Sequence, residues 1–156
     1  MKKQGFTLIE LMVVIVIMGI LAAVAVPKLF GQIAKSKAAE VGTNASAYIT
    51  AQNAFILNAA KIGTAKEIGY DIPNSGKDKT KGNFGYEASD GGVWKAIALV
   101  GLNECEVNNT WELKTEYESK TGKSYYTPGG AGYNDAKCNV LTTDFTKIGK
   151  ANSSGN

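Results

Sequence analysis

The sequence predicts an α+β chain: a long N-terminal α-helix whose second half packs on a three- to four-stranded antiparallel sheet. Three patterns carry that prediction. An apolar segment from Phe6 to Pro27 holds a single charge, Glu10. From Phe30 to Ile62, apolar residues recur at steps of three, four or seven, as on one face of a helix. Beyond Gly82, short β-rich runs alternate with turn residues.

The first element begins after a short, polar, basic leader, Met1-Lys2-Lys3-Gln4-Gly5. As a helix, Phe6 to Phe30 reaches roughly 37 Å, enough to cross a bilayer, which sets it apart from a buried core helix. A secretory signal peptide is the stronger rival. Lys2 and Lys3 would be its basic region, the run to Leu21 its apolar core, and Ala23-Val24-Ala25 its small-x-small cleavage site. Two features oppose it: Glu10 falls where the apolar region should begin, and the helical pattern continues past Ala25. A carboxylate at the centre of a membrane helix costs about 3 kcal/mol, and less towards an end. A plain anchor gains nothing from that cost, so Glu10 reads as a working group.

The helix is expected to continue to about Ala60, near ~80 Å by rise per residue. Its apolar stripe is Phe30, Ala34, Ala38, Val41, Ala45, Tyr48, Phe55, Ala59 and Ile62. Gln32, Lys35, Lys37, Glu40, Asn44 and Gln52 occupy the remaining surface. Pro27 has no N–H and crowds the preceding turn, so a kink is expected around Val24 to Pro27. Gly19 and Gly42 are either further weak points or places where neighbouring helices approach closely. If assembly stretches or melts the helix, Gly19 to Pro27 is the interval expected to yield.

The apolar stripe asks for a sheet. Phe84–Glu87 and Val93–Val100 are joined by Ser89-Asp90-Gly91-Gly92, a strong turn signal. Trp111, Leu113, Thr115 and Tyr117 alternate with Glu112, Lys114, Glu116 and Glu118, which fits a strand with one wet face. Thr121-Gly122-Lys123 turns into Ser124-Tyr125-Tyr126-Thr127. Between helix and sheet, residues 63–82 read as an exposed connecting loop, and Pro128-Gly129-Gly130-Ala131-Gly132 as a flexible surface turn.

Lys2 to Leu11, Lys-Lys-Gln-Gly-Phe-Thr-Leu-Ile-Glu-Leu, resembles the processing and assembly motif of type IV pilins and the related type II secretion pseudopilins. The resemblance covers about the first thirty residues. It implies that a prepilin peptidase cuts between Gly5 and Phe6 and methylates the new N-terminus, and that Glu10 is the motif's glutamate. It implies three segments: leader 1–5, transmembrane and assembly half-helix 6–30, and periplasmic or extracellular head 31–156. The partners implied are other pilin subunits, the peptidase, the inner-membrane assembly machinery and the membrane itself.

The chemistry of that motif stands on its own. Glycine supplies an extended, unobstructed backbone for cleavage. With Lys2 and Lys3 gone, 17 basic residues fall to 15 against 14 acidic ones, leaving the chain nearly neutral. The cut frees an amine on Phe6, which in an apolar setting needs a counter-charge as much as Glu10 does. Head-to-tail packing of helices would supply each from a neighbour, and any packing that orphans one charge is penalised.

Cys105 and Cys138, if bonded, close a loop of about 34 residues, worth roughly 4 kcal/mol in the chain-entropy model. Two free buried thiols are the other reading. A disulfide requires an oxidising compartment, periplasmic or extracellular. By resemblance, a disulfide in type IV pilins pins a C-terminal region to the sheet, here Cys105 to Cys138. Charge does not orient the membrane helix, because Lys28, Lys35 and Lys37 balance Lys2 and Lys3. Cysteine usage and the resemblance together put the N-terminus in the cytoplasm before cleavage.

The chain has no histidine and no arginine, which removes the commonest general base, the commonest zinc ligand and the bidentate phosphate clamp. No catalytic constellation, cofactor site or metal site is expected. Residues 129–132 lack the spacing and setting of a nucleotide loop. Asp135 near Cys138 and Asp90 near Glu87 show no run of calcium ligands and read as solvated acids. Lys77, Lys79 and Lys81 surround Asp78 and read as a solvated loop, with nothing further in the chain to support nucleic-acid binding. Asn44, Asn108 and Asn152 begin glycosylation-like sequons that carry little weight. Residues 151–156 read as a loose polar tail.

Three classes therefore remain: a type IV pilus subunit, a type II secretion pseudopilin, and a secreted domain released after Ala25. By resemblance, major pseudopilins more often lack a disulfide and use calcium in the C-terminal loop, so the cysteine pair favours the pilus. The pilus reading implies a fibre serving adhesion, twitching motility or DNA uptake. It places the chain in the inner membrane, head in the periplasm, before assembly into an extracellular filament.

Overall fold

The computed structural model describes residues 5–75, 78 and 80–148. The expectations for leader residues 1–4, for Lys77 and Lys79, and for the tail with its Asn152 sequon lie outside these residues. The chain forms two compact units, one ending at Ile33 and one beginning at Ala34. Helix α1 runs Leu8–Ala59, followed by β1 Phe84–Ala88, β2 Val93–Ala98, β3 Thr110–Glu118 and β4 Lys123–Gly129. Two single-turn helices, α2 Ala131–Asn134 and α3 Ala136–Asn139, and a 3-10 turn Phe145–Lys147 complete it.

The strands form one sheet in the order β1-β2-β3-β4, every neighbour antiparallel. Trp94 pairs with Leu113 and Ala96 with Trp111, so one face carries the bulky apolar set. Against that face lie Ala34, Ala38, Val41, Ala45 and Tyr48 of α1, in one core with Phe84, Tyr86, Trp94, Trp111, Leu113 and Tyr126. Trp94 and Trp111 are wholly buried, and burying a large apolar side chain contributes about 1.5–3 kcal/mol. Their ring N–H groups are satisfied: Trp94 Nε1 donates to Tyr70 Oη at 3.0 Å and Trp111 Nε1 to Thr142 Oγ1 at 2.9 Å. On the opposite face Lys95 and Glu112, directly paired across β2 and β3, form an ion pair at 3.0 Å.

The apolar stripe of α1 follows the expectation from Ala34 to Tyr48 and then departs from it. Gln52 and Ile56 take the next buried positions, Phe55 is half-buried, and Ala59 and Phe30 are exposed. The expectation followed residue type, whereas burial follows the turn of the helix: Tyr48, Gln52 and Ile56 share a face at steps of four. Gln52 holds that place by donating from Nε2 to the Gly63 carbonyl at 3.3 Å, tying down the chain as it leaves the helix.

The connecting segment is not the exposed loop expected. Ile68, Tyr70 and Ile72 pack on the core, and the Tyr70 ring stands edge-on to Tyr48 at 5.5 Å. Alternation with Lys66, Glu67, Gly69 and Asp71 hides these residues inside a polar composition. Asn74 Nδ2 donates to the Phe84 carbonyl at 2.9 Å and so covers part of the β1 edge. At the start of the segment, Thr64 N donates to Glu67 Oε2 at 2.8 Å, Glu67 N donates to Thr64 Oγ1 at 3.2 Å, and Lys61 reaches Glu67 at 3.0 Å. The Thr64 amide first, and then Lys61, hold the Glu67 carboxyl down at about 2. A depressed carboxylate stabilises the fold fully above its ordinary range and loses that contribution as pH falls through the folded value. The Glu67 side chain should therefore titrate in an NMR pH series with a midpoint near 2. A midpoint in the ordinary carboxylate range would remove this turn from the list of ordered ones.

The glycine-rich stretch after β4 is also packed rather than loose. Gly130 has φ 100°, and a Cβ there would lie 2.4 Å from the Thr110 carbonyl oxygen. Gly132 is buried, and a Cβ on it would sit 2.9 Å from the Trp111 ring. Gly130→Ala is expected to cost at least ~2 kcal/mol, from a left-handed backbone together with a backbone clash. A melt unchanged from wild type would contradict the close approach. Gly42 has a similar use, since its Cβ would lie 3.2 Å from Asp144 Cβ. It lets the C-terminal segment reach α1, a role within the chain rather than between helices.

Candidate processing and assembly site

The unit ending at Ile33 has no interior among its described residues. Phe6, Leu8 and Ile9 are 85 %, 87 % and 69 % exposed, and every large apolar residue from Leu11 to Phe30 is also exposed. The most apolar 18-residue window of α1 has a mean hydropathy of 2.9 and none of it is buried. A helix apolar on all sides is stable only inside a membrane or packed among other helices. Glu10 is the sole charge on it before Lys28.

Glu10 is not unpartnered within its own chain. Its Oε2 accepts from the Thr7 backbone N–H at 2.8 Å and from Thr7 Oγ1 at 2.7 Å, and its amide donates to Thr7 Oγ1 at 3.4 Å. This is a reciprocal capping box, which satisfies N–H groups that a helix start leaves open. The carboxylate also lies at the positive end of the α1 dipole. The sequence held the signal, Thr7-x-x-Glu10 before an apolar run, and the same box recurs at Thr64-x-x-Glu67. In the sequence Glu10 stands out by its charge alone, and only the Thr7 contacts show its capping role. Oε1 of Glu10 has no hydrogen-bond partner among the described residues.

Gly5 and Phe6 precede the helix in non-helical backbone. A Cβ built on Gly5 or on Gly19 would meet nothing within 4 Å, so intrachain packing requires glycine at neither place. α1 remains helical through Pro27. Proline has no N–H to give, so the Ala23 carbonyl lacks its usual helical donor. In the other unit, Cys105 and Cys138 form a disulfide, Cα–Cα 4.9 Å, with both residues buried. It joins the β2–β3 connection to α3. No group of three metal-ligating side chains is present among the described residues.

A profile of the prokaryotic N-terminal methylation motif matches residues 1–26. A fimbrial protein of Moraxella nonliquefaciens is 32 % identical over 132 residues, covering 78 % of this chain and 82 % of that protein. The type IV major pilin protein PilA of Myxococcus xanthus is 37 % identical over 113 residues, covering 72 % of this chain. The chain belongs to the type IV pilin family. Its match spans 44 % of the Myxococcus pilin's own length. A type II secretion system core protein G from Klebsiella michiganensis is 40 % identical over 66 residues, 42 % of this chain and 46 % of that protein. The pilin likeness thus extends well into the unit that carries the sheet, whereas the secretion-protein match is confined to a shorter stretch.

Proposed function

We propose that this chain is a structural subunit of a type IV pilus, cut between Gly5 and Phe6, N-methylated on Phe6 and polymerised through the apolar half of α1. The observation that carries the reading is the wholly exposed apolar helix with Glu10 at its start. Such a surface must be covered, and copies of the same helix cover it in a filament. In this reading Glu10 has two tasks. Within the chain it caps α1 through Thr7, and between chains its second oxygen receives the Phe6 ammonium of a neighbour. Before assembly the helix sits in the inner membrane with residues 31–156 in the periplasm, and afterwards the filament is extracellular. The disulfide agrees with an oxidising location for that segment.

Gly19 and Pro27 are the places where we expect α1 to bend or loosen in the filament, since the Ala23 carbonyl is already free of a helical donor. The chain acts as a structural protein rather than as an enzyme. Adhesion, twitching motility and DNA uptake are the tasks such a fibre would serve.

The test is the N-terminus of protein sheared from cells. A chain beginning with methylated Phe6 and recovered in long fibres is the expected result, and a chain beginning at Val26 would overturn it. The match to a type II secretion core protein supports one second reading, a periplasmic pseudopilus subunit. Recovery of methylated protein only from the cell envelope, and never from surface fibres, would favour that reading.

A further inference from the structure

We propose that the Asp90–Gly91 peptide bond, at the tip of the β1–β2 hairpin, is a site of spontaneous backbone isomerisation. Asp90 converts to isoaspartate there through a succinimide formed with the Gly91 amide. The reaction needs no partner but water and is independent of polymerisation.

A backbone amide reaches the carboxyl of the preceding residue most easily when its own residue has no Cβ in the way, and glycine alone meets that condition. Gly91 is the only glycine in the chain that follows an aspartate or an asparagine; the other aspartates precede Ile72, Lys79, Ala136 and Phe145. Asp90 and Gly91 are both exposed. The turn around them is closed, since Gly92 N donates to the Ser89 carbonyl at 3.1 Å, Ser89 N to the Val93 carbonyl at 2.8 Å, and Val93 N to Ser89 Oγ at 3.3 Å. Among the described residues, however, the Asp90 carboxylate has no hydrogen-bond or ion-pair partner, and the Gly91 amide donates to nothing. The electrophile and the nucleophile are thus the two groups that the turn leaves free. Folding does not require glycine at 91: its φ lies outside the left-handed region, and a Cβ there would meet only Ser89 Oγ, at 3.9 Å. The structural glycine is Gly92, with φ 77° and a place for no Cβ, which would lie 2.8 Å from Ile62 Cγ2 and 3.2 Å from Thr115 Cβ.

The Gly91 nitrogen attacks Cγ of the protonated Asp90 carboxyl and forms a C–N bond. The amide proton and the carboxyl hydroxyl leave together as water, closing the succinimide ring. Water then adds to either ring carbonyl and opens it. Opening at Cγ restores aspartate, whereas opening at the Asp90 main-chain carbonyl leaves the chain running through Cβ and Cγ as isoaspartate. A water leaves, a water returns, and nothing is oxidised or reduced. The product lengthens the main chain by a methylene inside a turn whose far end is fixed. Thr115 N donates to the Gly92 carbonyl at 2.9 Å, and Gly92 is pressed against Ile62 and Thr115, so the added length cannot be taken up there. Isomerisation therefore loosens the junction of this turn with β3, and it accumulates with the age of the chain.

The test is to age the folded full chain in detergent at mildly acidic pH for several weeks, beside a sample unfolded in urea, and to digest both with trypsin. Cleavage after Lys81 and Lys95 releases the peptide Gly82–Lys95. In the folded sample that peptide is expected to gain a second form of the same mass, growing with time, and electron-transfer fragmentation should place the isoaspartate at Asp90. Gly91→Ala should melt no lower than wild type and slow the folded-state reaction about tenfold, equivalent to ~1.4 kcal/mol in barrier. Asp90→Glu, whose carboxyl lies a methylene further away, should give no such form. Isoaspartate in the unfolded sample with none in the folded one would mean that the turn holds the two groups apart, and would overturn the site. Equal rates in wild type and Gly91→Ala, or faster conversion at another aspartate, would overturn it as well.

Discussion

Glu10→Ala chains are expected to be cut and methylated at the N-terminus yet to yield almost no fibre. Removing one partner of a desolvated ion pair costs about 3–5 kcal/mol, because the other charge is left orphaned. That corresponds to a loss of roughly a hundredfold or more in subunit association. The capping box complicates a simple reading, since alanine also removes the Thr7 contact, and losing a cap costs about 1 kcal/mol. Glu10→Gln separates the two effects. Glutamine keeps the acceptor for Thr7 and loses the charge, so a role in pairing with the Phe6 ammonium predicts that it fails nearly as badly as alanine. Normal fibres from Glu10→Gln would make helix capping the whole of Glu10's contribution. Normal fibres from both variants would dismiss it from assembly altogether. Sheared-fibre yield, with N-terminal mass spectrometry to confirm cleavage, reads all three outcomes.

The second large effect is on the disulfide. Replacing Cys105 and Cys138 together with serine should lower stability by roughly 4 kcal/mol, the chain-entropy value for a loop of about 34 residues. For a unit of this size each kcal/mol moves the melting temperature by about 4 °C, so a fall of about 15 °C is expected. The loop so closed contains β3, β4, Trp111 and the tightly packed Gly130 and Gly132. Loosening it should therefore expose Trp111, and a red shift of tryptophan emission before global melting would report that. A melt within about 4 °C of wild type, the effect of roughly 1 kcal/mol, would mean that packing rather than the cross-link holds the region. Fully buried serines in place of the sulfurs add to the loss, so Cys→Ala variants give the cleaner value.

Much of the fold was legible because its signals are local. The helix start, expected at about Phe6 and found at Leu8, the turn from Ser89 to Gly92 and the alternation of β3 each follow from residues within a few positions of one another. The capping box at Thr7 and Glu10 is equally local, but an isolated charge in an apolar run is a stronger signal than a threonine three residues before it. Other features were not visible in any window. Gln52 is buried because the helix turns it toward Gly63, and its polar type argued the opposite. Ile68, Tyr70 and Ile72 are masked by Gly69 and Asp71 between them and by Lys66 and Glu67 before them, and the packing of Tyr70 depends on Tyr48 and Trp94 from distant elements. Gly130 and Gly132 read as loose until Thr110 and Trp111 are placed beside them.

The order of elements, the apolar half-helix, the processing motif and the lone carboxylate are properties of the chain's one-dimensional pattern. Helical and strand periods, turn chemistry and the cost of charge in hydrocarbon act over one or two turns, so residue order suffices for them. Two other features required the fold: which glycines are pressed against a neighbour, and which polar side chain is buried. Those depend on contacts between residues far apart in sequence, whose geometry is set by the packing of α1 on the sheet and by the Cys105–Cys138 bond.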